Sequence, residues 1–393
     1  MITFAVLLVL QGPAPDSLTL DAALARAQRL RGDARVAAAI VAEARAQLAV
    51  AGMVPNPVAS YSHTESTPRD HAAVSQAFDW LLVRGARRSA ARADIERAQA
   101  DSTLTAADIS AGVRLAFFES IAAREALRLA RDFSAIADSL RLIAQARLDH
   151  GDISRFEYDQ VALAAARTAQ AVSRAREANA VAGAALARAV AWDGPGAAPA
   201  AAGELDQDLA DEAGRPAATP DQLPLVRAAI ADSLAFAERQ RAAGLARIPM
   251  PAVEAGAEWA DPATPGTLLT VGVALPLPLW PRYGPPVAVA RAQARQATGR
   301  VAEARLEGSR RLAEARARLT EAATRARLAR DVLTPAATRL RVQATAAYRA
   351  GETGVIPVLE ALRAEREVVG ETILELLAYQ EAVAEWNRLL GRP

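Results

Sequence analysis

The chain has 393 residues, 52% of them hydrophobic, 4% aromatic and 23% charged, with 46 basic side chains against 45 acidic ones. All the basic residues are Arg, and the near-balance of charge gives no argument for a nucleic-acid or acidic partner. The absence of Cys excludes disulfides, thiolate metal sites, a Cys nucleophile and a lipid-anchored N-terminal Cys.

An Ala-, Arg-, Leu- and Glu-rich chain with few bulky side chains points to long helices packed closely along their length. The first ten residues, MITFAVLLVL, are apolar, and QGPAPDS after them breaks any helix. The run is too short to span a bilayer and suits a signal-peptide core, so residues 1–17 read as a signal peptide, with a buried first helix as the alternative. No later stretch reaches 18 apolar residues, so no helical membrane span is expected.

The first repeat, 18–193, opens with a helical pattern in which Thr19 or Asp21 is the N-cap and Gly52 the stop. A hairpin is expected over 54–83. Pro55 and Pro57 forbid helix there, Val74, Phe78 and Trp80 recur at even spacing, and SHTESTPRD forms the loop. From Gly85 a helical pattern runs to His150, about 64 residues or on the order of 95 Å. Within it Leu129, Phe133, Ile136, Leu140 and Ile143 follow the 4-3-4-3 spacing of a coiled-coil seam. A tip turn covers 150–154, where Gly151 ends the helix and Ser154 with Glu157 forms a capping box for the returning helix, which runs to about Trp192.

Residues 194–220, rich in Ala, Pro, Gly and Asp, read as a linker, and 221–393 repeat the first half. A shorter opening helix leads through Ile248, Pro249 and Pro251 into a second hairpin over 250–280, with DPATPG as its loop. Val253, Ala255, Ala257 and Trp259 fall on one side of its first strand, with Glu254, Gly256 and Glu258 on the other. In its second strand Leu269, Val271, Val273 and Leu275 share a face. Gly284 matches Gly85 as the hinge into a helix from about Pro286 to Ala350. The second tip turn, 351–354, precedes a last helix ending in EWNRLLG, comparable to ARAVAWDG in the first half. The correspondences sit near a constant offset of about 194 to 200 residues, which marks a tandem duplication.

The fold expected is therefore mainly α with a small β part, the helices forming a long antiparallel barrel of coiled-coil hairpins. Four strands per chain cannot close, and membrane barrels start at about eight. Open edges are not tolerated in lipid, so membranous hairpins require an oligomer. The alternative is a four-stranded sheet capping a soluble bundle.

Together these features resemble the outer-membrane efflux protein family, the TolC-like channels. The carriers are GMVPNPVASYS and VSQAFDWLLVRGARRSAARA around the first hairpin, VGVALPLPLWPRYGPPVAVARAQA after the second, HGDISRFEYDQVALA and YRAGETGVIPVLEALRA at the tips, and the duplication. The resemblance implies a homotrimer in the bacterial outer membrane, with a 12-stranded barrel and a periplasmic helical tunnel. Its partners would be a periplasmic adaptor and an inner-membrane pump, and its cargo metal cations or small toxic compounds. The LPLPLW segment and short chain look most like the heavy-metal and cation branch. A type I secretion channel is an alternative, as is a periplasmic adaptor, although an adaptor predicts one helical hairpin flanked by β-rich modules.

A conduit needs no catalytic residue or cofactor, and the sequence offers no nucleophile, metal or phosphate-binding constellation. His63, His71 and His150 are too far apart to suggest a zinc cluster and read as solvated loop residues. Glu254 and Glu258 are placed in the barrel lumen, where charge costs little, with Glu258 near the loop as the blander account. Trp80, Trp259 and Trp280 fit a membrane interface, with packing against helices an equal contender for Trp80 and Trp280. Arg84, Arg87 and Arg88 read as structural ion-pairing residues where barrel meets tunnel, with lining of the path as the alternative. By the resemblance, Glu360 falls on an acidic aperture site while Pro357 replaces its neighbour. Thr353 takes a polar lock position, and Glu157 matches an acidic residue beyond Gly151 that its capping box also explains. Gly151, Asp152, Ile153, Ser154, Gly351, Glu352, Thr353 and Gly354 form the expected docking tips.

Overall fold

The computed structural model describes residues 17–194, 200–207, 209, 218–263, 265–277 and 284–392. The signal-peptide reading at 1–16, part of the linker and Trp280 lie outside them. The elements are β1 (Ser17–Leu18), α1 (Leu20–Leu30), α2 (Gly32–Ala51), β2 (Val58–His63), β3 (Asp70–Ala77), α3 (Trp80–Asp149), α4 (Arg155–Ala189) and β4 (Ala200–Ala201). The second half supplies α5 (Pro224–Leu245), β5 (Ala252–Trp259), β6 (Leu268–Ala274), α6 (Gly284–Leu328), α7 (Thr334–Ala350) and α8 (Val355–Leu389), with a π-helical turn at Ala329–Leu333. They fall into two compact units, and each draws on both halves of the sequence.

The strand unit comprises Val36–Thr103 and Thr219–Ser309. Its four strands form one antiparallel sheet in the order β2-β3-β5-β6, in which the two hairpins are joined by β3 pairing with β5 from Asp70↔Trp259 to Ala77↔Ala252. The ladder reaches past β3 at both ends, since Phe78 N–H donates to the Pro251 carbonyl (3.1 Å) and Thr64 N–H to that of Arg69 (2.8 Å).

The first strand-to-helix junction differs from expectation. Phe78 and Trp80 do not continue the strand, and the hinge is not Gly85, because α3 already starts at Trp80. The Phe78 carbonyl accepts Leu81 N–H (3.0 Å), which turns the chain. The indole of Trp80 then donates to the Ala77 carbonyl (3.1 Å), and Arg84 lies 5.7 Å from its ring centre and donates to the Gly52 carbonyl (2.9 Å). In the second repeat the hinge is where the sequence placed it, with Gly284 opening α6.

Helix packing in this unit runs on small side chains. Ala86, Ala90, Ala93 and Ala98 of α3, Val226, Ala231 and Ala235 of α5, and Ala294 and Ala297 of α6 are all buried. A Cβ on Gly308 would lie 2.9 Å from a Leu223 methyl and 3.3 Å from a Val226 methyl, so α6 passes close to the start of α5 there. Between helices, Arg239 pairs with Asp94 (2.6 Å), and Asp232 takes both Arg97 (3.2 Å) and Arg300 (3.8 Å).

The tip unit falls within Met1–Arg35, Leu104–Ala218 and Arg310–Pro393. Thr19 caps α1, its hydroxyl accepting Ala22 N–H at 3.3 Å. The helix expected to run on to Gly52 instead breaks at Arg31, which is extended (φ −66°, ψ 138°). Glycine follows at 32, and Asp33 sits in the first turn of α2, where the helix dipole favours an acid. Arg31 closes the break by pairing with Asp33 (2.7 Å) and donating to the Ala189 carbonyl (3.4 Å), and its hydrogen bond holds the Asp33 carboxyl below the usual range.

The linker is partly built into this unit. Parallel strands β1 and β4 pair, Leu205 and Leu209 are buried, and Gln380, itself 1% exposed, donates to the carbonyls of Leu205 (3.0 Å) and Gln207 (2.7 Å). Arg124 and Arg327 cap the carbonyls of Ala201 and Leu209. The second long helix carries one irregularity that the sequence reading passed over. Pro335 offers no N–H and would crowd the carbonyl four residues back, and the π turn at Ala329–Leu333 precedes it. The Thr334 hydroxyl, one residue on, is tied to that of Thr372 (2.8 Å).

Candidate functional site

Register decides what each face of the sheet carries, because directly opposed residues point to the same side. One face stacks the rows Gln76–Val253–Val273, Ala59–Val74–Ala255–Val271 and Tyr61–Ala72–Ala257–Leu269. Val271 is 81% exposed and Leu269 78%, so nothing among the described residues covers this apolar surface. Its loop end closes in a polar aromatic row. Tyr61 donates to Asp70 (2.9 Å), His63 contacts the same carboxylate (2.7 Å), and the Tyr61 ring stacks on Trp259 with centroids 6.3 Å apart.

The opposite face stacks Val58–Ser75–Glu254–Gly272, Ser60–Ala73–Gly256–Thr270 and Ser62–His71–Glu258–Leu268. Glu254 and Glu258 thus share one polar face, as the alternation predicted. Glu258 is not simply a loop-edge residue, since His71 stands directly opposite it with Nδ1 3.4 Å from a carboxylate oxygen. His63 and His71, read from sequence as loop residues, are strand residues on opposite faces. The β2–β3 register sets their faces, with Ser62 opposite His71 and His63 opposite Asp70, while the β3–β5 register, joining segments about 190 residues apart, brings His71 to Glu258.

The two tips, both in the tip unit, are brought onto one core. Phe133, Leu140, Ala144 and Val161 from the first half pack with Tyr348, Val355, Val358, Leu359 and Leu362 from the second. The seam residues Leu129, Ile136 and Ile143 line its margin, as their spacing required. Gly151 (φ +79°) and Gly351 (φ +78°) take the left-handed conformation that ends each helix. The 6→1 hydrogen bonds of a Schellman turn follow, from Asp152 N–H to the Arg147 carbonyl and from Glu352 N–H to the Ala347 carbonyl, both 2.9 Å.

After that shared stop the tips diverge. Ser154 and Glu157 form the full capping box, with Glu157 N–H to the Ser154 hydroxyl at 3.2 Å and Ser154 N–H to the Glu157 carboxylate at 2.8 Å. Gly354 caps α8 with no side chain. Ile153 packs against the shared core and Thr353 is half-buried at the matching position, while Gly151, Asp152, Ser154, Gly351, Glu352 and Gly354 are exposed. Glu360 is exposed on α8, and among the described residues no hydrogen bond or ion pair reaches its carboxylate.

Two groups near the tips escaped the sequence reading. Tyr348, 1% exposed, lies under the Arg147 guanidinium (4.4 Å to the ring centre), and Arg147 also donates to the Tyr348 carbonyl (3.1 Å). An aromatic residue three positions before each candidate stop glycine would have been the signal, and only the second tip has one. Arg341 pairs with Glu365, a carboxylate 5% exposed, and nothing local in the sequence marks that contact. Farther along the same helices, burial and then the nearby Glu381 carboxylate push the Glu119 carboxyl up.

Among the described residues no three His, Asp or Glu side chains are placed to share a metal ion, and no helix is long and apolar enough to cross a membrane.

No family model and no curated protein matches the sequence. Solved structures do match. CusC, described in terms of folding and transmembrane channel formation, gives a TM-score of 0.76 at 16% identity, covering 95% of this chain and 92% of that one. VceC, an outer membrane protein of Vibrio cholerae, gives 0.73 at 16% identity, covering 95% and 96%. The open-state MtrE outer membrane channel of Neisseria gonorrhoeae gives 0.71 at 16% identity, covering 95% and 89%. The chain therefore has the TolC-like fold, mainly helical with long helices and four antiparallel strands.

Proposed function

We propose that the chain is the outer-membrane channel subunit of a tripartite efflux system and works as a homotrimer. The observation that carries this reading is the sheet. One face is apolar and uncovered, the other polar, and β2 and β6 are left as open edges. Lipid accepts such an apolar face but not unpaired backbone, each unsatisfied group costing several kcal/mol there. Further copies of the same sheet must pair with both edges. Two copies would give eight strands, whose interior side chains about fill, whereas three give twelve and leave a lumen.

In this reading the chain supplies no chemistry. It is a conduit whose transport energy comes from an inner-membrane pump, with a periplasmic adaptor docking on the tip turns at 151–154 and 351–354. Glu360, exposed and without a partner among the described residues, is offered to a ring in the trimer, with Thr353 and Glu157 near the same aperture. Glu157 acts first as the capping partner of Ser154. Metal cations or small toxic compounds are the proposed cargo.

The test is fractionation and reconstitution of the full chain. A trimer extracted from the outer membrane that forms conducting pores in planar bilayers is expected. A monomer in the soluble fraction would overturn the proposal.

A further inference from the structure

The strands differ from the rest of the chain in charge. The protein has 46 Arg, yet β2, β3, β5 and β6 contain none, and their ionisable residues other than tyrosine are Asp70, Glu254, Glu258 and two histidines. Asp70 and His63 belong to the apolar face, where they bond to each other at its loop end. The polar face therefore holds Glu254, Glu258 and His71 with no permanent cation. Basic groups lie beyond the strands. Arg69 is in the first loop, and Arg84, Arg87 and Arg88 are in α3, with Arg84 committed to the Gly52 carbonyl.

The two carboxylates are not equivalent. Glu258 shares its row with His71, whose ring nitrogen is 3.4 Å away. Glu254 is exposed between Ser75 and Gly272, and among the described residues nothing pairs with it. Four residues of strand separate the two rows by about 13 Å. Between them is Gly256, where a Cβ would come within 2.7 Å of the Thr270 hydroxyl, so the intervening row stays free of bulk.

We propose that Glu254 and Glu258 make the strand end of the pore a cation-selective segment, Glu254 the stronger of the two because His71 engages Glu258. The proposal rests on the channel reading, which repeats each carboxylate three times around the lumen. Fixed charge of one sign in a low-dielectric wall concentrates counter-ions and repels co-ions. Its reach is about 10 Å at 0.1 M salt, so two rows about 13 Å apart cover the segment at low ionic strength and fade at 1 M.

The experiment measures reversal potentials of the reconstituted full-length protein across a KCl gradient at neutral pH. Wild type is expected to favour K⁺ over Cl⁻. Glu254→Gln should lower the permeability ratio by at least about two-fold, Glu258→Gln by less, and the double variant should come close to parity. The same drop is expected in a Glu360→Ala background, which separates the strand carboxylates from Glu360. The readout is a ratio, so a channel that opens rarely serves as well. A double variant that keeps the wild-type ratio, or a drop that vanishes in the Glu360→Ala background, overturns the assignment while leaving the channel reading intact. Wild-type protein with no conductance in any salt overturns both.

Discussion

The tip core and the four-stranded sheet are both made by the two halves of a duplicated chain meeting each other, and they finish in opposite conditions. At the tips Val358 and Tyr348 are 1% exposed and Phe133 4%. In the sheet Val271, Leu269 and Val273 are 81%, 78% and 70% exposed. Helices bury an apolar stripe on one neighbour and satisfy their backbone internally, so two helical hairpins complete each other within one chain. A strand needs a partner on both edges and a cover for its apolar face, and four strands supply neither. The contrast shows where folding of the single chain ends and assembly has to begin.

Substitutions at apolar residues of opposite burial should break this comparison most visibly. Phe133→Ala removes a ring from the shared tip core, and a loss of about 3–5 kcal/mol is expected in chemical unfolding of the tip unit. Val271→Arg is the converse. On a water-exposed sheet it would cost within about 0.5 kcal/mol. Facing lipid at mid-depth it should cost about 2–4 kcal/mol per chain and lower the yield of membrane-inserted trimer. Normal insertion of the Val271→Arg protein would show that this face meets water, which leaves the apolar sheet without its proposed environment.

A smaller effect separates the two tips. Ser154→Ala should cost about 1 kcal/mol through loss of the capping box, whereas Ser154→Gly, which copies the second tip, should cost only a few tenths. Amide exchange in the first turn of α4 reads this directly. Equal protection in all three proteins would mean that the shared core and not the cap holds the tip.

Much of the candidate site was legible because it is encoded locally. The alternation in PAVEAGAEWA places Glu254 and Glu258 on one face whichever strand pairs with them. The stop glycines at 151 and 351 and the S-x-x-E box at 154–157 are short-range signals with a fixed backbone consequence, and each holds in the structure. Gly85 misled for the same reason. A glycine between a strand pattern and a helix pattern looks like a hinge, but the indole of Trp80 and the turn at Phe78 start the helix five residues earlier. The break at Arg31 was hidden inside an unbroken helical pattern, and Arg31 is held there by contacts to Asp33 and to the distant Ala189 carbonyl.

Taken by itself, the sequence determined the long helices, the two amphipathic hairpins, the tip turns and their repetition, since periodicity, caps and stop residues act within a few positions of one another. Tertiary structure alone decided that β3 pairs with β5 so that His71 faces Glu258, and that Tyr348 packs beneath Arg147. It likewise decided that Glu365 is buried against Arg341, and that the linker carbonyls find Gln380. Each of these but the Arg341–Glu365 contact joins segments more than 150 residues apart. Which distant segments meet, and in what register, is a property of the folded chain that no local pattern carries.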